Sequence, residues 1–242
     1  MRIAFSGAAC TGKTTTLNAF LQKWPAYKFV NSEYRSLIKK TKNHSKKATA
    51  KTQRDILQVL VAESSPYTAH DKVVFDRCPL DNLVYSLWAH GVERKGFNEK
   101  YITETIAMVK ESMRHFDVIF IFSRDLMSPL IESNGVREID PVFVKETDNI
   151  FKAISKQAQA DIAKSPFFPK DDSPAVIEIH GTTEERIAQI ALYVTPEGTA
   201  YGEEQSVFNM DELNKMYSLL ADQKHLLTGD QKEKLGLLDL HK

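Results

Sequence analysis

The chain has little of what would place it in a specialised class. In 242 residues there are two cysteines, 10 glycines and 9 prolines, no excess of either charge, and no apolar run long enough to span a bilayer. Cys10 and Cys78 stand far apart without CxxC-type neighbours, which argues against a structural zinc site and predicts reduced thiols in the cytoplasm. A membrane helix needs about 20 apolar residues. Met1-Arg2 is followed by only a short apolar stretch before Gly7, so a soluble cytoplasmic protein with no targeting signal and no membrane partner is expected. Collagen-like and low-complexity chains carry far more glycine and proline, and disordered chains fall below the 42% hydrophobic content seen here. What remains is one α/β-sized domain with some decoration.

The balance of 32 bases and 32 acids holds only in sum. Residues 195–242 carry nine acids and five bases, which leaves 27 bases against 23 acids in 1–194. Within 35–54, from Arg35 to Arg54, there are eight Lys/Arg, one His and no acid. Short β-branched or aromatic runs alternate with amphipathic stretches through 1–194, the pattern of a parallel sheet with helices on both faces. Strands are expected at 2–6, 27–30, 73–76, 118–122 and 176–179, enough for an open doubly wound sheet. Helices are expected at 13–21, 52–63, 80–89, 99–115, 143–164 and 183–193. Two stretches, the basic 35–54 and the turn-rich 124–141 with Asn134-Gly135, read as mobile. Thr195-Pro196-Glu197-Gly198-Thr199 reads as a linker. Beyond it, a helical tail would place Leu213, Met216, Tyr217 and Leu220 on one side, for packing within the molecule or in a homodimer.

The most specific signal is Gly7-Ala8-Ala9-Cys10-Thr11-Gly12-Lys13-Thr14, which fits G-x-x-x-x-G-K-[ST] between a predicted strand and a predicted helix. Its glycines allow a tight wrap in which the backbone N–H groups, those of Ala9, Cys10, Thr11 and Gly12 among them, face phosphate oxygens. The helix N-terminus adds partial positive charge. ATP and Mg²⁺ are the implied cofactors. Lys13 would reach the β- and γ-phosphates, the Thr14 hydroxyl would hold Mg²⁺, and Thr15 would lie near the α-phosphate. Residues between the two motif glycines contribute mainly backbone, so Cys10 is not expected to be catalytic.

A guanine-specific GTPase needs N-K-x-D after a later strand, and no predicted strand end carries one. A motor ATPase ends a central strand in two acids, but here Val73-Val74-Phe75-Asp76-Arg77 ends in Asp-Arg and 118–122 runs into Ser123-Arg124. The loop at 7–15, Glu33 after the second strand, Phe75-Asp76-Arg77 after the third and Gly135-Val136-Arg137 in the polar stretch resemble the P-loop kinases of nucleosides and nucleotides. Ser32-Glu33-Tyr34-Arg35 and Asp76-Arg77-Cys78-Pro79-Leu80-Asp81 are most similar to the NadR-like branch, whose best-known member phosphorylates ribosylnicotinamide. The resemblance covers about 1–194. It implies a five-stranded P-loop kinase domain there, with 35–54 on the acceptor side and a lid at 124–141. The remaining 195–242 would be linker and tail.

The resemblance also implies roles. Glu33 matches the acid beside the acceptor hydroxyl, as a general base or orienting group. Asp76 matches the strand-end acid that contacts the magnesium shell or the attacking hydroxyl, so Thr14 and Asp76 are the metal-side pair. Arg77 matches the arginine that binds phosphate on the cleft floor, and Arg137, with or without Arg124, the lid arginine. Lys13, Glu33, Asp76, Arg77 and Arg137 thus form the candidate catalytic set. Tyr34, Tyr85 and Trp88 could stack on a base, or the latter two could be core residues of their helix. The run at 35–54 would suit a nucleic acid partner, pointing to a base or strand end within DNA, or would do no more than solvate its loop. The leading expectation is ATP- and Mg²⁺-dependent phosphoryl transfer to a hydroxyl or phosphate of a nucleoside, nucleotide or nucleobase-containing acceptor. The alternative is a regulatory ATPase or GTPase module acting through its tail.

Overall fold

A computed structural model describes residues 1–41, 45–124 and 140–200, all within one compact unit, Met1–Ala200. Five strands, β1 (Arg2–Ser6), β2 (Lys28–Val30), β3 (Val73–Asp76), β4 (Val118–Phe122) and β5 (Ala175–Ile179), form one sheet in the order β2-β3-β1-β4-β5. All four pairings are parallel, with Phe5 opposite Asp76 on one side and Phe120 on the other. The expected α/β class and five-stranded parallel sheet are observed.

Alternation along the strands makes two cores. Ile3 and Phe5 of β1 and Val118, Phe120 and Phe122 of β4 face one way, onto Leu17 and Phe20 of α1 (Lys13–Lys23) and Ile190 of α7 (Thr183–Ile190). Ala4, Ile119 and Ile121 face the other way, onto a layer of four helices. These are α3 (Ala50–Ser64), α4 (Pro79–Gly91), α5 (Glu99–Ser112) and α6 (Pro141–Asp161), which contribute Leu57, Leu83, Val109 and Phe151. Burial of each such side chain contributes about 1.5–3 kcal/mol. Both faces are covered, which is why these strands read as near-continuous apolar runs.

Caps account for two of the differences in helix starts. Thr49 Oγ1 accepts from Thr52 N at 3.1 Å and starts α3 before the expected 52. Asp140 Oδ1 accepts from Val142 N and Phe143 N, so α6 begins at Pro141 rather than 143.

The expectation that 35–54 is mobile is corrected where it is described. An unanticipated helix, α2 (Tyr34–Thr41), packs Tyr34 and Ile38 on Ile56 and Leu60 of α3, a short 3₁₀ turn follows at Ser45–Lys47, and residues from Ala50 onward belong to α3. Tyr34 and Ile38 lie four apart on one face, and burial of that stripe outweighs a sequence run without acids. Lys46 pairs with Asp140 at the head of α6.

At the other end, residues 195–199 form a turn against the body. Trp24 Nε1 donates to the Thr195 carbonyl at 2.8 Å and the Tyr27 hydroxyl to the Gly198 carbonyl at 2.9 Å. The expected tail lies outside the described residues. Among the described residues, no helix is long and apolar enough to cross a membrane.

Candidate active site at the strand ends

The chain order reverses beside β1, and in open α/β sheets ligands bind beyond the carboxyl ends of the strands at such a point. The 7–14 loop lies there, between the end of β1 and the start of α1. Gly7 has φ +136°, and a Cβ on it would stand 2.7 Å from the Phe122 carbonyl oxygen, so the wrap admits no other residue without displacement of β4. Cys10 and Gly12 are left-handed, at φ +60° and +80°, the alternation that turns successive N–H groups toward one centre. The Lys13 ammonium donates to the Gly7 carbonyl at 2.8 Å, the Ala8 carbonyl and Thr11 Oγ1 at 3.1 Å. Thr14 and Thr15 are exposed on the first turn of α1.

The neighbouring strand end supplies the acid and the arginine. Asp76, 5% exposed, stands 3.4 Å from the Thr14 hydroxyl, which donates to it. Arg77 adopts φ +90°, costly for a residue with a side chain by about 1–3 kcal/mol and a conformation that clusters at functional sites. It is held there by its N–H to the Phe5 carbonyl at 3.0 Å and by its guanidinium, which donates to Asp81 Oδ1 at 2.8 Å and the Tyr85 hydroxyl at 3.1 Å. Burial works against the Arg77 charge, but Tyr85 and Tyr34 once ionised, with the Asp81 and Asp76 carboxylates, outweigh it and hold its pKa above the ordinary arginine value. Burial raises the Tyr85 pKa and keeps that phenol neutral. It also pushes the Cys78 thiol far up, which removes it as a nucleophile.

Asp81 joins these two strand ends. One oxygen accepts from Ser6 Oγ at 2.6 Å and Cys78 N at 3.0 Å, the other from Gly7 N at 3.3 Å and Arg77, and the residue is 1% exposed. It is at once the third residue of the α4 capping box and the brace between the phosphate loop and Arg77.

On the β2 side, Glu33 is exposed just before α2, and its N–H donates to Glu63 Oε1 of α3 at 2.6 Å, while the Ser32 hydroxyl donates to the other Glu63 oxygen. Glu63 therefore fixes the backbone that presents Glu33. Tyr34 is buried beside Arg77. Tyr85 and Trp88 are half-buried against α6. Tyr85 stacks on Phe143 at 5.9 Å between ring centres, Trp88 meets that ring edge-on at 4.5 Å, and Trp88 Nε1 donates to Glu146 at 2.7 Å. Both thus pack on α6 through Phe143, and Tyr85 also meets the Arg77 guanidinium.

With this geometry in view, the model of one protein family, described as an AAA domain, matches residues 2–166. The chain belongs to this AAA domain family. No curated protein matches the sequence. Solved structures similar to it include a nucleoside kinase and a nucleotide kinase. Deoxyadenosine kinase from M. mycoides with bound dCTP aligns at TM-score 0.53 and 15% identity, over 79% of this chain and 96% of that one. Thymidylate kinase from Candida albicans aligns at 0.50 and 14%, over 78% and 88%. NadR in complex with NR aligns at 0.55 and 13%, over 84% of this chain and 54% of that one. At such identities the likeness is one of fold, and it is the P-loop kinase fold that the motifs resembled.

This AAA domain lacks a motor-type acid pair at the end of β3, where Asp76 is followed by Arg77. The lid arginine expected at Arg137 lies outside the described residues. Arg124, at the end of β4, is described. Its N–H donates to Asp148 Oδ1 at 3.2 Å, its carbonyl accepts from Lys152 at 2.9 Å, and Asp148 and Lys152 pair at 2.8 Å on α6. Among the described residues no group of three or more His, Cys, Asp or Glu could hold a metal by itself. Asn82 of α4 donates to the Gln53 carbonyl at 2.8 Å and to Gln53 Oε1 at 2.6 Å, and so ties α3 to α4 next to the site, leaving its own buried Oδ1 without a hydrogen bond among the described residues.

Glu63 and Arg186 of α7, whose Nη1 donates to the Thr11 carbonyl at 2.6 Å, are site residues that sequence reasoning missed, and Asp81 entered it only as a member of the motif at 76–81. Asp81 carried a local signal, as the third residue of a helix opening on Cys78-Pro79. Glu63 and Arg186 carried none, since each is one more charged residue on an amphipathic helix.

Proposed function

We propose that the chain is an ATP- and Mg²⁺-dependent kinase that transfers the γ-phosphoryl group to a hydroxyl or phosphate of a nucleoside, nucleotide or related nucleobase-containing acceptor. The observation that carries this reading is the adjacency of Thr14, on the first turn of α1, and Asp76, at the end of β3, 3.4 Å apart beside a loop of phosphate-binding form. A hydroxyl and a carboxylate are hard oxygen donors, and Mg²⁺ suits one or two such groups completed by phosphates and water. Thr14 and Asp76 would hold the ion. When bound, it would neutralise charge on the β- and γ-phosphate oxygens.

Phosphoryl transfer needs positioning and charge stabilisation more than covalent help. The loop N–H groups orient the phosphates, and Lys13 exchanges its loop carbonyls for phosphate oxygens. Arg77, kept charged and fixed by Asp81 and Tyr85, anchors the acceptor at the cleft floor. Glu33, exposed at the head of α2, accepts or aligns the proton of the attacking hydroxyl. On the resemblance, Arg137, with or without Arg124, would be the lid arginine, and closure there would exclude water as a competing acceptor.

The test is transfer of labelled γ-phosphate across nucleosides, nucleoside monophosphates, ribosylnicotinamide and single- and double-stranded DNA. Saturable labelling of at least one acceptor is the expected result. Release of free phosphate alone would overturn the kinase reading in favour of a regulatory NTPase. Glu33→Gln is expected to reduce transfer about 10²–10⁴-fold, the range for loss of a positioned base, while ATP affinity stays unchanged. Full transfer by this variant would remove Glu33 from the mechanism.

A further inference from the structure

Arg186 lies on α7, beyond the 2–166 span of the family match, and its guanidinium reaches back under the phosphate loop. The residue is 6% exposed. Its Nη1 donates to the Thr11 carbonyl at 2.6 Å, and its Cζ stands 5.4 Å from the centre of the Phe122 ring, the residue whose carbonyl limits Gly7. A Cβ on Gly12 would come within 2.8 Å of the same Nη1. The second motif glycine is favoured by its own φ of +80°, and a side chain there would also push Nη1 of Arg186 aside.

We infer that Arg186 is a positioning residue for nucleotide phosphate binding. In a trans peptide the C=O and the following N–H point in opposite directions. The Thr11 carbonyl and the Gly12 N–H share one such plane. A charged donor holding that oxygen from beneath the loop turns the Gly12 N–H to the opposite side, into the concavity where the loop faces a phosphate, and polarises it toward stronger donation. The guanidinium also adds a full positive charge behind partial charges that already favour an anion. Arg186 acts through the peptide and touches no substrate atom.

The inference rests on the reading of 7–14 as a nucleotide-phosphate cradle, and it extends that cradle to a helix more than 170 residues further along the chain. It predicts a phosphate-selective defect. In the full chain, Arg186→Met is expected to weaken ATP and ADP binding about tenfold or more, the scale of losing one charge-assisted hydrogen bond, and to change AMP binding less than twofold. Arg186→Lys, which keeps a charge and one donor, should recover part of the loss.

Calorimetric Kd values for ATP, ADP and AMP, taken beside melting curves, read the ratio directly. An unchanged ATP-to-AMP affinity ratio in folded Arg186→Met overturns the role of Arg186, as does an equal loss for all three nucleotides. If Arg186→Met does not fold, the ratio in Arg186→Lys decides: a fall supports the role and an unchanged ratio overturns it. Failure of the unaltered protein to bind ATP would instead overturn the cradle reading, and this inference with it.

Discussion

Lys13→Met is expected to lower phosphoryl transfer by about 10²–10³-fold, the scale of losing one preorganised charge-stabilising group, while the protein remains folded. Methionine nearly matches the volume of the lysine stem and fits the same half-turn of α1, so the apolar contacts survive. What disappears is the ammonium that donates to Gly7, Ala8 and Thr11. Two carbonyls of a loop that must stay wrapped lose their charged donor, and the phosphate loses its mobile cation. Labelled-phosphate transfer and a melting curve on the same preparation check both halves. Transfer within threefold of the unaltered protein would show that Lys13 does not carry phosphate charge.

Asp81→Ala is expected to have the largest effect on stability. The carboxylate is 1% exposed, receives four donors and neutralises Arg77, whose side chain is 13% exposed. Removing one partner of a buried ion pair costs about 3–5 kcal/mol, because the remaining charge stays buried without compensation. At about 2–4 °C per kcal/mol for a domain of this size, the melting temperature should fall by about 6–20 °C. Asp81→Asn keeps the shape but turns one acceptor end into a donor, so its melting point should lie between the two. Both variants should also lose transfer, since Asp81 is the carboxylate that fixes the Arg77 guanidinium, and its loss leaves only the Tyr85 hydroxyl. A melting point for Asp81→Ala within 2 °C of the unaltered protein would refute the bracing role.

Periodicity carried most of the fold. Buried parallel strands such as 118–122 leave unbroken apolar runs, and their limits were readable to within a residue. Helix α2 was hidden because the lysines around it dominate composition, although Tyr34, Leu37 and Ile38 already had helical spacing and needed only the face of α3 to bury against. The phosphate loop and the Asp76-Arg77 strand end were legible because each is a local sequence event. The bracing around them was not. Asp81 bonds across 75 residues to Ser6, Glu63 across 30 to Glu33, and Arg186 across 175 to Thr11. Apart from the capping position of Asp81, nothing local distinguishes such residues from solvated charges of the same type. Long-range polar braces arise from topology, so they become visible only once the strands are in order.

The internal bonding of the phosphate loop has a consequence for the heat of binding. With Lys13 seated on loop carbonyls, and Cys10 and Gly12 left-handed, the wrapped form of the loop is held by its own internal bonds. A nucleotide then exchanges one set of hydrogen bonds for another instead of ordering a slack segment, so little of its interaction energy goes into conformational entropy. Coupled folding leaves a large negative heat-capacity change on association, and a preformed cradle leaves a small one. The loop's own share of the temperature dependence of the nucleotide binding enthalpy should therefore be shallow, the thermal signature of a socket, and any steeper part belongs to lid closure.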